Sequence, residues 1–206
     1  MIRRDQARTR LARAAVVEAA RNLFLERGYG ATTMEAISER ADVPPATVYR
    51  LFSSKHGILK ALFDVSIVGD HEDVPMSERP QVRSLLDRPD PEAQLAGFVR
   101  ITVQVNERIA PLYRILVSAA GTDPDAAAQL DELTRQRQQG QRAIARALAR
   151  AGALRAELRE RDAADLIHAL LSPELYRLLV VDRRWSTDRY AKWLTGTLAD
   201  QLLPPS

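Results

Sequence analysis

The sequence predicts an all-α protein of two domains, and three observations carry that expectation. Ala, Leu and Arg dominate, aromatic residues make only 5% of the chain, and alternating runs of Val, Ile, Thr and Tyr are missing. Apolar residues recur instead three and four positions apart, the spacing that lines one face of a helix. Gly, Pro and Asp fall between these periodic segments, where helices start and stop.

With 206 residues, 46% of them hydrophobic and 28% charged, the chain can bury a core and has the balance of a soluble globular protein. Cysteine is absent, which excludes a disulfide framework and thiol chemistry and agrees with a cytoplasmic protein. The charged N-terminus lacks the apolar segment of a signal peptide. No apolar run approaches the ~18 residues that a membrane span requires, so no membrane partner is expected. The three histidines, at 56, 71 and 168, are scattered. There is no paired-histidine metal motif, phosphate-cradling glycine loop or nucleophile elbow, so no catalytic residue, metal or cofactor is expected. His71-Glu72-Asp73 reads as a solvated linker rather than a metal site.

Taken in order, residues 1–8 are polar and are expected to fray ahead of the first helix. That helix is expected over about residues 9–27, with Val16, Ala20, Leu23 and Phe24 on its apolar face. Gly28 suits the left-handed position after its last turn. The second helix is expected to start at Thr32, which with Glu35 makes a capping box. Its inward residues are Met34, Ile37 and Ala41. A tight turn follows at 41–43, where Asp42 tolerates strained backbone better than most residues. Pro45 fits the first position of a short third helix, about 45–52, anchored by Val48 and Phe52. Ser53 or Ser54 then caps a fourth helix, to about residue 68, whose Ile58, Leu59, Leu62 and Phe63 pack back on the first three.

Residues 32–57 therefore read as a helix-turn-helix, with a short helix whose outward residues suit a DNA groove. Pro45, Ala46, Thr47, Tyr49 and Arg50 are left on its outer face. Small Ala46 and Thr47 allow close approach to base edges, with Thr47 suited to a thymine methyl or a phosphate. Arg50 can pair with guanine or phosphate, and Tyr49 is a phosphate contact or a packing residue. Lys55, in the first turn of the fourth helix, opposes the helix dipole unless an anion such as phosphate binds with it. Arg8 and Arg10, with Arg3 and Arg4, make a basic arm that could reach DNA phosphates or a minor groove, the alternative for Arg3 and Arg4 being a disordered tail without a role. The charge distribution agrees. Up to Lys60 there are 11 Lys/Arg and 6 Asp/Glu, a net of +5, within a chain of net +3.

The stretch LFLERGYGATTMEAISERADVPPATVYRLFSSK resembles the N-terminal DNA-binding domain of the TetR/AcrR family of transcriptional regulators. The resemblance runs in register over about residues 9–60, through Gly28-Tyr29, Thr32-Thr33, Ile37, Val43, Thr47, Tyr49, Phe52, Ser54 and Lys55. It implies operator contacts for Thr33, Thr47, Tyr49 and Lys55. Two positions depart from the family pattern: Pro44 stands where a capping Ser is usual, and Asp42 where Gly is usual. The cap hydrogen bond lost at Pro44 is worth ~1 kcal/mol.

Residues 69–89 are polar and Pro-rich and divide a domain of residues 1–68 from one of 69–206. Beyond them, Asp90-Pro91-Glu92 marks a helix start. A fifth helix carries Leu95, Phe98, Thr102, Val105 and Ile109 on one face and is expected to end at Pro111. A sixth follows over 112–120. A seventh runs to about 151 and is closed by Gly152, its polar stretch 134–141 placing one face in solvent. An eighth starts at Asp162 and is kinked at Pro173. A ninth runs from Ser186 to about 203.

In the TetR family this larger domain dimerises through its last two helices and holds a ligand among the middle ones. The resemblance thus implies a homodimer, a small-molecule effector and a palindromic double-stranded DNA operator. The residues suited to the ligand are Phe98, Thr102, Asn106, Tyr113, His168 and Tyr176, polar or aromatic groups on otherwise apolar faces. Singly each reads as a core position; His168 reads best as a satisfied core or interface histidine. The last two helices are the most apolar pair, so Leu166, Leu170, Leu178, Trp193, Leu194, Thr197 and Leu198 are the expected interface, the alternative being that they close the monomer core. The expected function is a dimeric one-component repressor. The alternatives are a regulator without small-molecule input and a non-specific DNA-packaging protein.

Overall fold

A computed structural model describes residues 2–69 and 76–205. His71-Glu72-Asp73 and the side chains of Arg3 and Arg4 lie outside the described residues. Among those described there are helices and no strand. The chain forms two compact units. One comprises Met1–Ser66 with Pro111–Asp131, and the other Ile67–Ala110 with Glu132–Ser206.

The first unit begins with α1, Ile2–Arg27, which starts seven residues earlier than expected. Residues 2–8 contain Arg, Gln and Ala and no breaker, so nothing in them stops helix propagation backwards. Val16, Ala20, Leu23 and Phe24 are buried, and full burial of a Val, Leu or Phe side chain stabilises the fold by about 1.5–3 kcal/mol. Gly28 follows with φ +79°, a conformation that a side chain disfavours. Helix α2 is Met34–Ala41. Its cap is Thr33, not Thr32: the Thr33 hydroxyl accepts from the Ala36 amide at 3.1 Å. Thr32 is buried and donates to Gly28 O at 2.8 Å, so it closes α1 instead of opening α2.

Helix α3 is Pro45–Phe52, with Pro44 before it and no side-chain cap. Helix α4 is Lys55–Val68, capped by Ser54, whose hydroxyl accepts from the Gly57 amide at 3.1 Å. Ile58, Leu59, Leu62 and Phe63 are all buried. Helix α1 packs on α2 and α3, and α2 packs on α3.

After a short 3₁₀ turn, Met76–Glu78, α5 spans Pro80–Leu86. Helix α6 then runs unbroken over Pro91–Ala120. The expected end at Pro111 does not occur. A proline costs a helix about 3 kcal/mol by local reckoning, but buried residues on both sides of it, Ala110, Leu112 and Leu116, hold the helix through. The division between units also falls at this proline. In the second unit α6 buries Leu95, Val99, Val103, Asn106, Ile109 and Ala110. Of the expected face, Leu95 and Ile109 are buried, while Phe98, Thr102 and Val105 are half-buried, Val99 and Val103 taking the inner positions instead.

Helix α7, Pro124–Arg150, is capped by Asp123, which accepts from the amides of Asp125 and Ala126 at 2.9 and 3.2 Å. Gly152 ends it with φ +64°. Helix α8 is Glu160–Leu170. Pro173 does not kink it but opens a new helix. Ser172 caps α9, Pro173–Tyr176, by accepting from the Leu175 amide, and the proline takes the first position, where it loses no hydrogen bond. A π-helical turn, Arg177–Asp182, continues from α9 and closes with Arg183 N donating to Leu178 O at 3.2 Å. Helix α10, Thr187–Leu202, is capped by Ser186. The core of this unit joins Leu95, Val99, Ile144, Leu148, Ile167, Tyr190, Leu194 and Leu198.

Candidate nucleic-acid interface

Three local devices shape the helix-turn-helix. Thr33 starts α2. Asp42 turns the chain with φ 52° and ψ 42°, its own amide donating to Glu39 O and Ser38 O. The buried Ser38 hydroxyl donates to Val43 O at 2.5 Å and locks the turn from inside. Pro45 then opens α3, whose Thr47 and Val48 amides donate to Pro44 O at 2.8 and 3.1 Å. Backbone thus replaces the side-chain cap that Pro44 cannot supply.

The inner residues of α3, Val48 and Phe52, are buried. Its outer face presents Pro45, Ala46, Tyr49 and Arg50 in the open, with Thr47 half-buried beside them. Two contacts orient the helix. The Arg13 guanidinium lies 4.7 Å over the Phe52 ring and donates to Leu51 O at 3.4 Å. The Tyr49 hydroxyl donates to the Glu35 carboxylate at 3.3 Å, tying α3 to α2; that charge raises the Tyr49 pKa. Thr33 is exposed next to this face, and Arg8 and Arg10 are exposed on α1.

Lys55 is placed differently from an outward phosphate contact. Its ammonium donates to Tyr29 O at 2.8 Å and Thr32 O at 2.9 Å and lies 4.2 Å over the Tyr29 ring. Burial lowers its pKa, with the Asp123 charge acting in the opposite sense. As found, Lys55 braces the loop between α1 and α2. Gly57 is the companion constraint, since a β-carbon there would stand 2.1 Å from Phe52 O. Arg13, Ser38 and Gly57 escaped the sequence reading. Only Gly57 carries a local signal, being a glycine inside an otherwise favourable first helical turn.

In the second unit, Phe98 and Thr102 are half-buried, and Asn106 is buried and donates to Leu171 O at 3.1 Å. His168 is half-buried, its Nδ1 lying 2.6 Å from Gln141 Oε1, and burial lowers its pKa. Gln141 is buried, on the opposite face of α7 from the exposed Arg135, Gln136 and Gln139 of the same polar stretch. Tyr176 is buried with its ring edge-to-face on Tyr190 at 5.4 Å. Tyr113, also buried, belongs to the 111–131 segment of the first unit.

The expected interface residues separate into two sets. Leu194 and Leu198 have 0% exposure within the single chain; they sit on the inner face of α10 and are core residues, not surface for a partner. Leu166, Leu170 and Thr197 are half-buried. Leu178 and Trp193 are exposed, and Val181 is exposed as well. No residue of the π-helical turn is buried, although it carries Leu178, Leu179, Val180 and Val181 in succession. Trp193 stands edge-to-face on Trp185 at 5.7 Å and contacts Tyr190 at 6.1 Å.

Comparison with known proteins places these features. Residues 16–62 match the family of bacterial regulatory proteins described as the tetR family. Over 167 residues the chain is 30% identical to the uncharacterized HTH-type transcriptional regulator YdeS of Bacillus subtilis, covering 81% of this chain and 77% of that one. The HTH-type transcriptional regulator TtgR of Pseudomonas putida is 36% identical over 64 residues, covering 31% of this chain and 30% of that one. Among solved structures, the SmeT–triclosan complex is similar with a TM-score of 0.73 at 18% identity, over 95% of this chain and 93% of that one. NalD of Pseudomonas aeruginosa, described as the secondary repressor of the MexAB-OprM multidrug efflux pump, is similar with a TM-score of 0.66 at 21% identity, over 95% and 98%. At these identities the structural likeness speaks for the fold.

Proposed function

This chain belongs to the tetR family of bacterial regulatory proteins, and from that premise we propose that it is a dimeric repressor released from a palindromic operator by a small molecule. It is a transcriptional regulator with a helix-turn-helix DNA-binding domain, and not an enzyme. The observation that carries the proposal is α3: two buried anchors, Val48 and Phe52, hold a short helix whose Ala46, Tyr49 and Arg50 stand in the open. Arg50 reads a base edge or a phosphate, Thr33, Thr47 and Tyr49 set the register on the backbone, and Arg8 and Arg10 add phosphate contacts. Lys55 serves this site chiefly as a brace.

One such unit reads few base pairs, so a two-fold pair is needed for affinity and palindrome selectivity. The exposed apolar residues Leu178, Val181 and Trp193 support pairing through the end of the second unit. Residues 1–68 carry DNA binding, and residues 69–206 carry pairing and the effector. Phe98, Thr102, Asn106, His168 and Tyr176 of the second unit are the effector candidates. The bound triclosan of SmeT and the efflux-pump role printed for NalD favour a small, largely apolar effector. The effector must bind the geometry that DNA disfavours, and DNA weakens its binding by the same factor.

The test is selection of bound sequences from a random duplex pool. A palindromic sequence should emerge, bound ~10³-fold or more above random DNA at physiological salt. Arg50→Ala should cost about 1–3 kcal/mol and relax preference at one base step. Equal binding of every duplex would sink the repressor reading and favour DNA packaging.

A further inference from the structure

The face that meets DNA is not uniformly basic. Up to Lys60 the chain carries a net charge of +5, yet one carboxylate stands against α3 itself. Glu35, in the first turn of α2, is exposed. Its Oε1 accepts from the Tyr49 hydroxyl of α3 at 3.3 Å. Tyr49 is exposed as well, next to the buried anchor Val48. Thr33, the cap of α2 two residues before Glu35, is also exposed. Two other carboxylates of this unit are held differently. Glu26 is clasped by the Arg40 guanidinium at 3.0 and 3.1 Å, and Glu18 lies 3.8 Å from Arg21. Glu35 meets a neutral hydroxyl instead, so the group it touches does not offset its charge. That charge acts on Tyr49, whose pKa it raises.

A carboxylate in the first turn of a helix stabilises that helix by opposing its dipole. Beside a DNA contact the same charge has a second effect. The duplex carries one phosphate charge per ~1.7 Å of its axis, and a carboxylate next to a bound phosphate is repelled by it. The Tyr49 hydroxyl has a single proton to donate, so it cannot serve the carboxylate and a phosphate at once. Donation to DNA therefore means leaving Glu35 and bringing a phosphate up to it. At 3.3 Å the existing bond is longer than is usual for a hydroxyl on a carboxylate. That length suits a contact that is exchanged rather than one that locks.

We propose that Glu35 limits the affinity of this chain for DNA: its carboxylate holds the Tyr49 hydroxyl in the free chain, and DNA binding exchanges that carboxylate for a phosphate. The exchange is nearly neutral for the hydroxyl, which gives up one anion for another. It leaves two like charges together at the contact. The effect falls on a phosphate contact, which carries no sequence information, so it acts on all duplexes alike. Affinity is thereby held below what the basic face alone would give. This inference rests on the helix-turn-helix being the DNA-reading element and on Tyr49 meeting a phosphate.

The test uses the full chain, a duplex that it selects from a random pool and a scrambled duplex of the same length. Glu35→Gln keeps an acceptor for Tyr49 and removes the charge. Affinities are measured well below the melting temperature of each variant. Glu35→Gln should bind both duplexes about three- to tenfold tighter, and the gain should shrink as salt rises. Tyr49→Phe should change affinity by less than about twofold in the wild-type chain. In the Glu35→Gln chain it should weaken binding about threefold or more, because there the phosphate bond no longer displaces one to a carboxylate. Unchanged or weaker binding by Glu35→Gln would overturn the proposal and leave Glu35 as a charge that serves α2 alone. Tighter binding confined to one duplex, or an altered preference at one base step, would overturn it in favour of base reading. Equal effects of Tyr49→Phe in the two backgrounds would overturn the exchange. Arg50→Ala in the same assay keeps the two readings apart. If neither it nor Glu35→Gln alters binding, the helix-turn-helix assignment has failed; if Arg50→Ala weakens binding and Glu35→Gln leaves it unchanged, only the role of Glu35 has.

Discussion

In residues 32–57 the chain changes direction through bonds between near neighbours. Thr33 holds Ala36, Ser38 holds Val43, and Ser54 holds Gly57. In the second unit, beside local caps such as Ser172 on Leu175, bonds between elements join groups far apart in sequence. Asn106 donates to Leu171 O, His168 meets Gln141, and Arg155 N donates to Leu202 O. The first arrangement fixes a small surface accurately with little core. The second lets long helices be placed by packing, so its side chains can diverge while the fold persists. A DNA-reading element needs the former, because a shift of an ångström moves every contact on the groove.

The comparison can be broken most sharply at Leu194. As a core residue, Leu194→Ala should cost the protomer about 2–5 kcal/mol, read as a fall in the denaturant midpoint. A variant that lost only self-association would return Leu194 to the interface. Next is Gly57→Ala, in which the new methyl meets Phe52 O. It should cost about 1–3 kcal/mol, the usual range for overpacking, and should abolish DNA binding before it unfolds the second unit. Hydrogen exchange resolved by segment checks this, and uniform loss of protection would contradict the local character of the helix-turn-helix.

Thr33→Ala should cost ~1 kcal/mol through the lost cap, whereas Thr33→Ser should restore stability. If Ser restores stability but not DNA affinity, the threonine methyl contributes to the complex. Asp42→Gly should stabilise the chain by about 0.5–1 kcal/mol, because glycine adopts the left-handed backbone at Asp42 without steric cost. An unchanged melting temperature would mean that the Asp42 carboxylate repays that strain.

The smallest effect concerns pH. Burial holds the His168 pKa below its ordinary value of 6.5, so the unfolded chain takes up a proton first as pH falls. Stability should be present above about pH 6.5, decline as pH drops below it, and level off once the folded pKa is passed. In His168→Gln that part of the decline should vanish, as read by melting temperatures from pH 8 to 5. Parallel curves for the two proteins would remove His168 as its source.

Legibility in the sequence follows the same divide. The left-handed Asp42, the first-position Pro45 and the buried anchors of α3 could all be read because each depends on a residue's own conformational preference. The choice between Thr32 and Thr33 as cap could not, since both have the chemistry and only the folded path of α1 buries Thr32. Pro111 misled because a local penalty is offset by burial on both sides, which no window of sequence displays. Gln141 lay in a polar run, and its partner His168 is 27 residues away. For Leu194 and Leu198, helical period establishes that a face is apolar, not whether its own chain or a second one covers it. The outward face of α3 was therefore legible residue by residue, while Lys55 turned inward for a reason located at Tyr29 and Thr32.

The stacked pair Trp185 and Trp193 has a practical consequence. They are the chain's two tryptophans, both in the second unit, edge-to-face at 5.7 Å with Tyr190 alongside. Intrinsic tryptophan emission thus originates wholly from one unit, and the helix-turn-helix contributes no indole signal. Quenching or a spectral shift on adding a compound would register an event in the second unit, while melting of the first would pass unseen in the same trace. The protein thus carries its own optical label for the second unit.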